Sequence, residues 1–172
     1  MTVAVALRGP RVTLRPAHAD DAEALVVILG EPAVACWWGH NDRDSVREEI
    51  ETFETYVIVV DGATAGWLHV AEENEPDYRH AGLDIALTTA LHGKGLGQET
   101  LRLIVEHLIE RGHHRFTIDP SRANERAIRA YTALGFRAVG VLRSYERGPD
   151  GRWRDGLLMD LLAAELVPTL EA

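Results

Sequence analysis

The chain has 172 residues, 46% of them hydrophobic, and a formal net charge of −9 at pH 7, the length of one domain with enough apolar surface for a real core. Residues 1–91 carry 6 Lys/Arg against 16 Asp/Glu, a balance of −10, while residues 92–172 carry 12 against 11, a balance of +1. That asymmetry argues against nucleic acid as a partner, because a phosphate backbone would meet repulsion; it suits an anionic ligand on the second half and a cationic one on the first, or simply a solvated acidic surface.

The single cysteine, Cys36, excludes an intramolecular disulfide and reads as a packed small residue. The first residues lack the basic and apolar regions of a secretory signal, and no apolar run approaches the roughly 20 residues of a membrane helix. A cytoplasmic setting with no membrane partner is expected. The eight histidines show no ligand spacing, so no metal site is expected.

In chain order, Arg11–Pro16 alternates polar and apolar residues and predicts the first strand. A helix over Asp20–Leu29 follows, with acidic residues at its start and Gly30 and Pro32 ending it. After Val34–Gly39, Asp42 or Asp44 caps a second helix through Phe53. Tyr56–Val60, the turn Asp61-Gly62 and Ala65–Glu72 read as a β-hairpin, and the acidic loop Glu73–Arg79 as a lip for a cationic ligand. Ala81–Leu87 is a strand; Leu101, Ile104, Val105, Leu108 and Ile109 then make one helix face. His114–Ile118, a helix over Asn124–Leu134, and strands Phe136–Arg147 and Trp153–Leu162 about a Pro149-Asp150-Gly151 turn complete the chain. Leu157, Leu158, Met159, Leu161 and Leu162 suit core or a subunit contact, so a monomer and a homodimer are both open. The sum is a mixed sheet of seven strands with four helices, in a single domain over 1–172.

Between the strand Ala81–Leu87 and the helix lies His92-Gly93-Lys94-Gly95-Leu96-Gly97. Glycines let the main chain turn tightly and approach a ligand, and the free N–H groups of a helix's first turn attract an anion. Two fingerprints fail: Gly95 follows Lys94 where a P-loop needs Ser or Thr, and Gly93-x-Gly95-x-Gly97 lacks the dinucleotide spacing. The spacing resembles the Gln/Arg-x-x-Gly-x-Gly/Ala pyrophosphate loop of the GNAT N-acetyltransferases, with His92 departing from the usual first residue.

The resemblance sharpens downstream. Asn124, Ala127, Ile128, Tyr131, Gly135 and Phe136 match the second half of a GNAT coenzyme A site. Asp119-Pro120-Ser121, Gly82-Leu83-Asp84 and Trp37-Trp38-Gly39 are similar to motifs of the aminoglycoside 6′-N-acetyltransferases; the likeness runs from about Trp37 to Phe136, with Ile85 standing where Gln is frequent. It implies the GNAT fold, α/β (α+β) with a mostly antiparallel central sheet, and acetyl-CoA as co-substrate without a metal.

Acetyl transfer to an amine needs a neutral amine, a polarised carbonyl and a proton for the leaving thiolate. Asp84, beside the cofactor loop, is the carboxylate placed to bind the ammonium and take its proton; at an ordinary pKa near 3.9 it would bind and relay rather than act unaided. A backbone N–H among Ile85, Ala86 and Leu87 would polarise the carbonyl where the strand is expected to splay. The resemblance gives Tyr131 the thiolate's proton, although Ala127, Ile128, Tyr131 and Leu134 equally make a core stripe. The cofactor would be held by Ile85, Ala86, Leu87, His92, Gly93, Lys94, Gly95, Leu96, Gly97, Asn124, Ala127 and Tyr131. The acceptor would meet Asp84, Asp119 and one of Trp37 and Trp38, the last two suiting core as well. The implied function is acetylation of an aminoglycoside 6′-amine, conferring antibiotic resistance. The alternatives are acyl transfer to a siderophore precursor, polyamine or peptide amine, and a silent coenzyme A-binding module.

Overall fold

The computed structural model describes residues 5–169. In chain order the elements are β1 (Leu7–Arg8), β2 (Val12–Pro16), α1 (Ala22–Leu29), α2 (Pro32–Trp38), α3 (Arg43–Thr52), β3 (Glu54–Val60), β4 (Ala63–Glu73) and β5 (His80–Leu87). There follow α4 (Leu96–Glu110), β6 (Arg115–Ile118), α5 (Glu125–Leu134), β7 (Arg137–Arg147) and β8 (Trp153–Leu162). The strands form one mixed sheet in the order β1-β2-β3-β4-β5-β6-β8-β7, in which only β5 and β6 run parallel.

Among the described residues there are eight strands and five α-helices, one of each more than the periodicity gave. The extra strand is two residues folded back on β2, too short to show a period. The extra helix is α2. Pro32, read as the stop of the preceding helix, is the first residue of the next, where its missing N–H costs nothing, and Gly39 at φ 71° closes it. The helix after the glycine loop also starts at Leu96, five residues before its apolar stripe begins.

Strands β3 and β4 are covered on both faces, which is why their sequences run apolar without clean alternation. Tyr56, Ile58, Leu68 and Val70 face a core with Leu101, Ile104, Val105 and Leu108 of α4. Val57 and Trp67 face a second core with Leu25 and Leu29 of α1, Val34 of α2 and Val46 of α3. The α1–α3 layer thus stands over one face of the sheet and α4 under the other.

The feature that makes a site is the β5–β6 junction. The two strands pair only at Ala81↔Phe116 and Gly82↔Thr117, although β5 continues to Leu87. Beyond Gly82 they separate, and a wedge opens in the middle of the sheet.

Candidate active site

The wedge exposes main chain on β5. Thr88 donates its N–H to the Ala65 carbonyl at 2.8 Å, and hydrogen-bonded positions alternate along an antiparallel ladder. Ala86 and Asp84 therefore bond to β4, leaving the N–H groups of Ile85 and Leu87 directed into the wedge. The Leu87 carbonyl points the same way and accepts from His92 Nε2 at 2.8 Å. That bond fixes the proton on Nε2, so Nδ1 carries the lone pair that accepts from the Arg126 guanidinium. Burial, joined by the Arg126 charge, pushes the ring below the ordinary histidine value despite the Leu87 carbonyl. His92 is a neutral strut between β5 and the first turn of α5.

The glycine loop turns as its composition demands. Gly95 sits in the left-handed region at φ 75° and caps α4, a conformation costly for any residue with a Cβ. Arg11 straps the turn to β2, donating to the Lys94 carbonyl at 3.0 Å and pairing with Glu99 at 2.8 Å. Gly97 is different: it is helical, and a Cβ there would meet only Leu87 Cδ1 at an ordinary 3.5 Å. Nothing in the protein's own packing requires glycine at 97, whereas a ligand approaching the helix N-terminus would. Gly97→Ala is expected to keep the wild-type Tm within about 2 °C and to raise KM for acetyl-CoA about tenfold. Steady-state kinetics beside a thermal melt reads both.

Of the residues assigned to the cofactor, all but Lys94 line one groove of 260 Å³ along the wedge, between the glycine loop and α5. The Lys94 side chain is exposed, and its carbonyl serves the Arg11 strap. Asn124 caps α5 by accepting from the Ala127 N–H at 3.2 Å. Tyr131 lines the groove and packs its ring 6.2 Å from Phe136, so one side of the ring belongs to the core and the other faces the groove. Burial first, then the Asp84 charge, raises its phenol, which stays a proton donor.

A second cavity of 320 Å³ adjoins the groove across Trp38 and holds Asp84, Asp119, Glu49, His69 and Phe53 among its walls. Trp38 borders both cavities. Trp37 borders the groove and a separate depression beside Trp153, away from the carboxylates. Water reaches Asp84 through the open cavity, but protein surrounds the carboxyl on its other sides. Desolvation, then the charge of Asp119, pushes it up to about 7, against the pull of the Ile85 N–H. A carboxylate in that range is a competent base at neutral pH, stronger than the ordinary aspartate assumed from composition.

His69 and Glu49 escaped the sequence reading. His69 is the cross-strand partner of Asp84, so both project from the same face. Its Nδ1 lies 2.8 Å from Thr55 Oγ1, its Nε2 lies 3.2 Å from Glu49 Oε2, and its ring sits 4.2 Å from Trp67 and 5.9 Å from Phe53. The hairpin register across Asp61-Gly62 pairs His69 with Thr55, but its place beside Asp84 is set by the β4–β5 register across the long acidic loop, which the sequence does not fix; Glu49 depends on how α3 lies over the sheet. The acidic loop Glu73–Arg79 contributes no residue to either cavity, because β4 and β5 carry it to the opposite end of the strands.

The sequence profile of the acetyltransferase (GNAT) domain matches residues 11–137, from the Arg11 strap through the wedge and the glycine loop to the start of β7. The chain belongs to the GNAT acetyltransferases. Among GNAT relatives it is 29% identical to the aminoglycoside N(6′)-acetyltransferase type 1 of Klebsiella pneumoniae, over 81% of this chain and 79% of that protein. Among solved structures it is similar to AAC(6′)-Ib in complex with Parmomycin and acetyl-CoA, with a TM-score of 0.75 and 27% identity over 94% of this chain and 99% of that one. It is also similar to Mycobacterium smegmatis RimJ in complex with CoA-disulfide, with a TM-score of 0.80 and 25% identity over 96% of this chain and 89% of that one. Among the described residues of this GNAT chain no helix is long and apolar enough to cross a membrane, and no cluster of three His, Cys, Asp or Glu residues is arranged to hold a metal ion.

Proposed function

We propose that this GNAT chain transfers the acetyl group of acetyl-CoA to a primary amine of a cationic small molecule, and that the acceptor is the 6′-amine of aminoglycoside antibiotics. The observation that carries the reading is the acidic cavity of Asp84, Asp119 and Glu49 opening across Trp38 onto the wedge groove. An acidic pocket with an aromatic wall matches a polyamine built on sugar rings. The 29% identity to an aminoglycoside N(6′)-acetyltransferase supports the same acceptor class.

Each step has a candidate group. Asp84 binds the ammonium and takes its proton, freeing the lone pair that attacks the thioester carbonyl. The Leu87 N–H group, unused by β4, offers a donor to the oxygen on which negative charge develops, while the Ile85 N–H is turned to the Asp84 carboxylate. The C–S bond then breaks as the phenol of Tyr131 gives its proton to the thiolate; the second proton of the attacking nitrogen restores the phenol, and Asp84 releases the first to water. Acetyl-CoA supplies the activated acyl group; the protein supplies orientation, the base and the acid. The pyrophosphate would lie on the N-terminus of α4 over Gly97, with Arg126 beside it on the His92 strut.

The test is thiol release from acetyl-CoA with two matched aminoglycosides, one bearing a 6′-amine and the other a 6′-hydroxyl, alongside a polyamine and a peptide with a free N-terminus. Turnover confined to the 6′-amine supports the reading. Turnover of the polyamine or peptide with neither aminoglycoside overturns it.

A further inference from the structure

One aromatic residue near the site has no part in the steps above. The β7–β8 ladder runs to Leu142↔Gly156 and resumes at Glu146↔Arg154, so Arg143, Ser144 and Tyr145 bulge against the single residue Asp155. Ser144 takes φ 46°, in the left-handed region, and Asp155 Oδ1 holds its N–H at 2.8 Å. Bulges beside sites re-aim side chains. This one turns Tyr145 across β8, over Gly156, where a Cβ would come within 2.8 Å of the ring at Cδ1. The phenol then donates to Asp119 Oδ2. Asp119 itself is held from the main chain, since its neighbour Pro120 accepts from the Leu157 N–H at 2.9 Å and Arg122 N–H bonds the Asp155 carbonyl at 2.9 Å.

Tyr145 does not line the acidic cavity, while Asp119 does. A strained bulge, a glycine that clears the path and a carboxylate at the end of it therefore converge on one hydrogen bond behind the acceptor site. With Oδ2 occupied by the phenol, the other carboxylate oxygen is left for a ligand. An anchor held in one orientation spares the ordering cost that a free carboxylate would meet on binding.

We propose that Tyr145 is a positioning residue for acceptor selection: it fixes Asp119 as the anchor for a second ammonium group, so that the site favours acceptors carrying another cation beside the amine that reacts. The inference rests on the reading that the acidic cavity holds the acceptor. The hydrogen bond to Asp119, with burial, pushes the Tyr145 phenol up to about 12, so it remains a neutral donor across the range of any practical assay.

The experiment is steady-state kinetics on the full chain and on Tyr145→Phe, Gly156→Ala and Asp119→Asn, with thermal melts as the folding control. Acceptors are a 6′-amino aminoglycoside and a 6-amino monosaccharide with no other amine. For Tyr145→Phe, KM for the aminoglycoside is expected to rise about tenfold with kcat within about twofold, the loss of one hydrogen bond to a charged group. The kcat/KM for the monosaccharide should not change. Gly156→Ala, which displaces the ring, should show the same split, and adding Tyr145→Phe to Asp119→Asn should cost nothing more. Equal losses on both acceptors, or no change in KM for the aminoglycoside, would overturn the positioning role while wild-type turnover leaves the acceptor reading intact. Failure of the wild-type chain to acetylate any aminoglycoside overturns both, and is seen before any variant is made.

Discussion

Asp84→Asn should lower kcat/KM by a factor on the order of 10² to 10⁴, the usual contribution of a positioned base, while acetyl-CoA still binds. The two effects separate because Asp84 lies in the acidic cavity and not among the walls of the wedge groove. In the wild-type enzyme the carboxyl must be ionised to accept the ammonium's proton. With its value pushed up to about 7, kcat/KM should fall about tenfold per unit below that pH, and the variant should lose this limb.

The same residue should lower stability in a pH-dependent way. A carboxyl whose folded value lies above its unfolded value near 3.9 holds its proton longer in the native state. Stability therefore falls as pH rises from about 4 to about 7 and stays lower above that. Asp84→Asn removes the effect, so its Tm should exceed wild type at pH 8, with the difference vanishing near pH 4. Equal melting temperatures at pH 8 would contradict the desolvation and Asp119 repulsion assigned to this carboxyl.

Arg111→Met should destabilise the fold by about 3–5 kcal/mol, the cost of leaving buried charge uncompensated. Arg111 follows α4 and donates to Glu54 of β3 at 2.9 Å and to Glu72 of β4. Tyr56 donates to the same Glu54 at 2.7 Å, and His113 Nε2 lies 2.5 Å from Glu72. Both carboxylates and the guanidinium are no more than 16% exposed. Burial pushes Glu72 up, but the His113 hydrogen bond and the Arg111 charge outweigh it and hold it below the usual carboxylate value. A group lowered on folding gives stability above its unfolded value near 4.3 that is lost as pH falls through the folded value. The penalty of Arg111→Met should therefore be full at pH 7 and shrink on acidification. Urea unfolding at the two pH values, with the slope m unchanged, measures it. The network also sits at the closed end of the wedge, where Glu72 pairs with Ala81 and Ala81 with Phe116; its loss should loosen the point from which β5 and β6 diverge.

Much of the site was legible because local rules set it. The glycines marked a tight turn before a helix, Asn124 fell at the start of the next helix, and Asp84 lay on the strand that runs into the loop, so loop, helix start and carboxylate were legible in the sequence. Lys94 stands apart from the other loop residues: a turn of this shape uses its carbonyl for the Arg11 strap and leaves its side chain exposed, outside the groove walls, which motif membership does not reveal. Trp37 and Trp38 were inseparable in sequence, and only the pitch of α2 sends one toward the carboxylates and the other away. The raised value of Asp84 depends on Asp119, 35 positions later, and on how tightly the cleft encloses it, neither of which has a local signature. Tyr145 was beyond reach for the same reason. Its aim is set by a bulge and by the space at Gly156, and both are properties of strand pairing.

The most direct test of the account is to identify the product formed from ¹³C-acetyl-CoA and an aminoglycoside with a free 6′-amine, locating the label by NMR. One acetyl group is predicted, on the 6′-nitrogen, formed by wild type and on the order of a hundredfold or more slowly by Asp84→Asn. Label on another nitrogen, or an unmodified aminoglycoside beside acetylated peptide or polyamine in the same mixture, would contradict it.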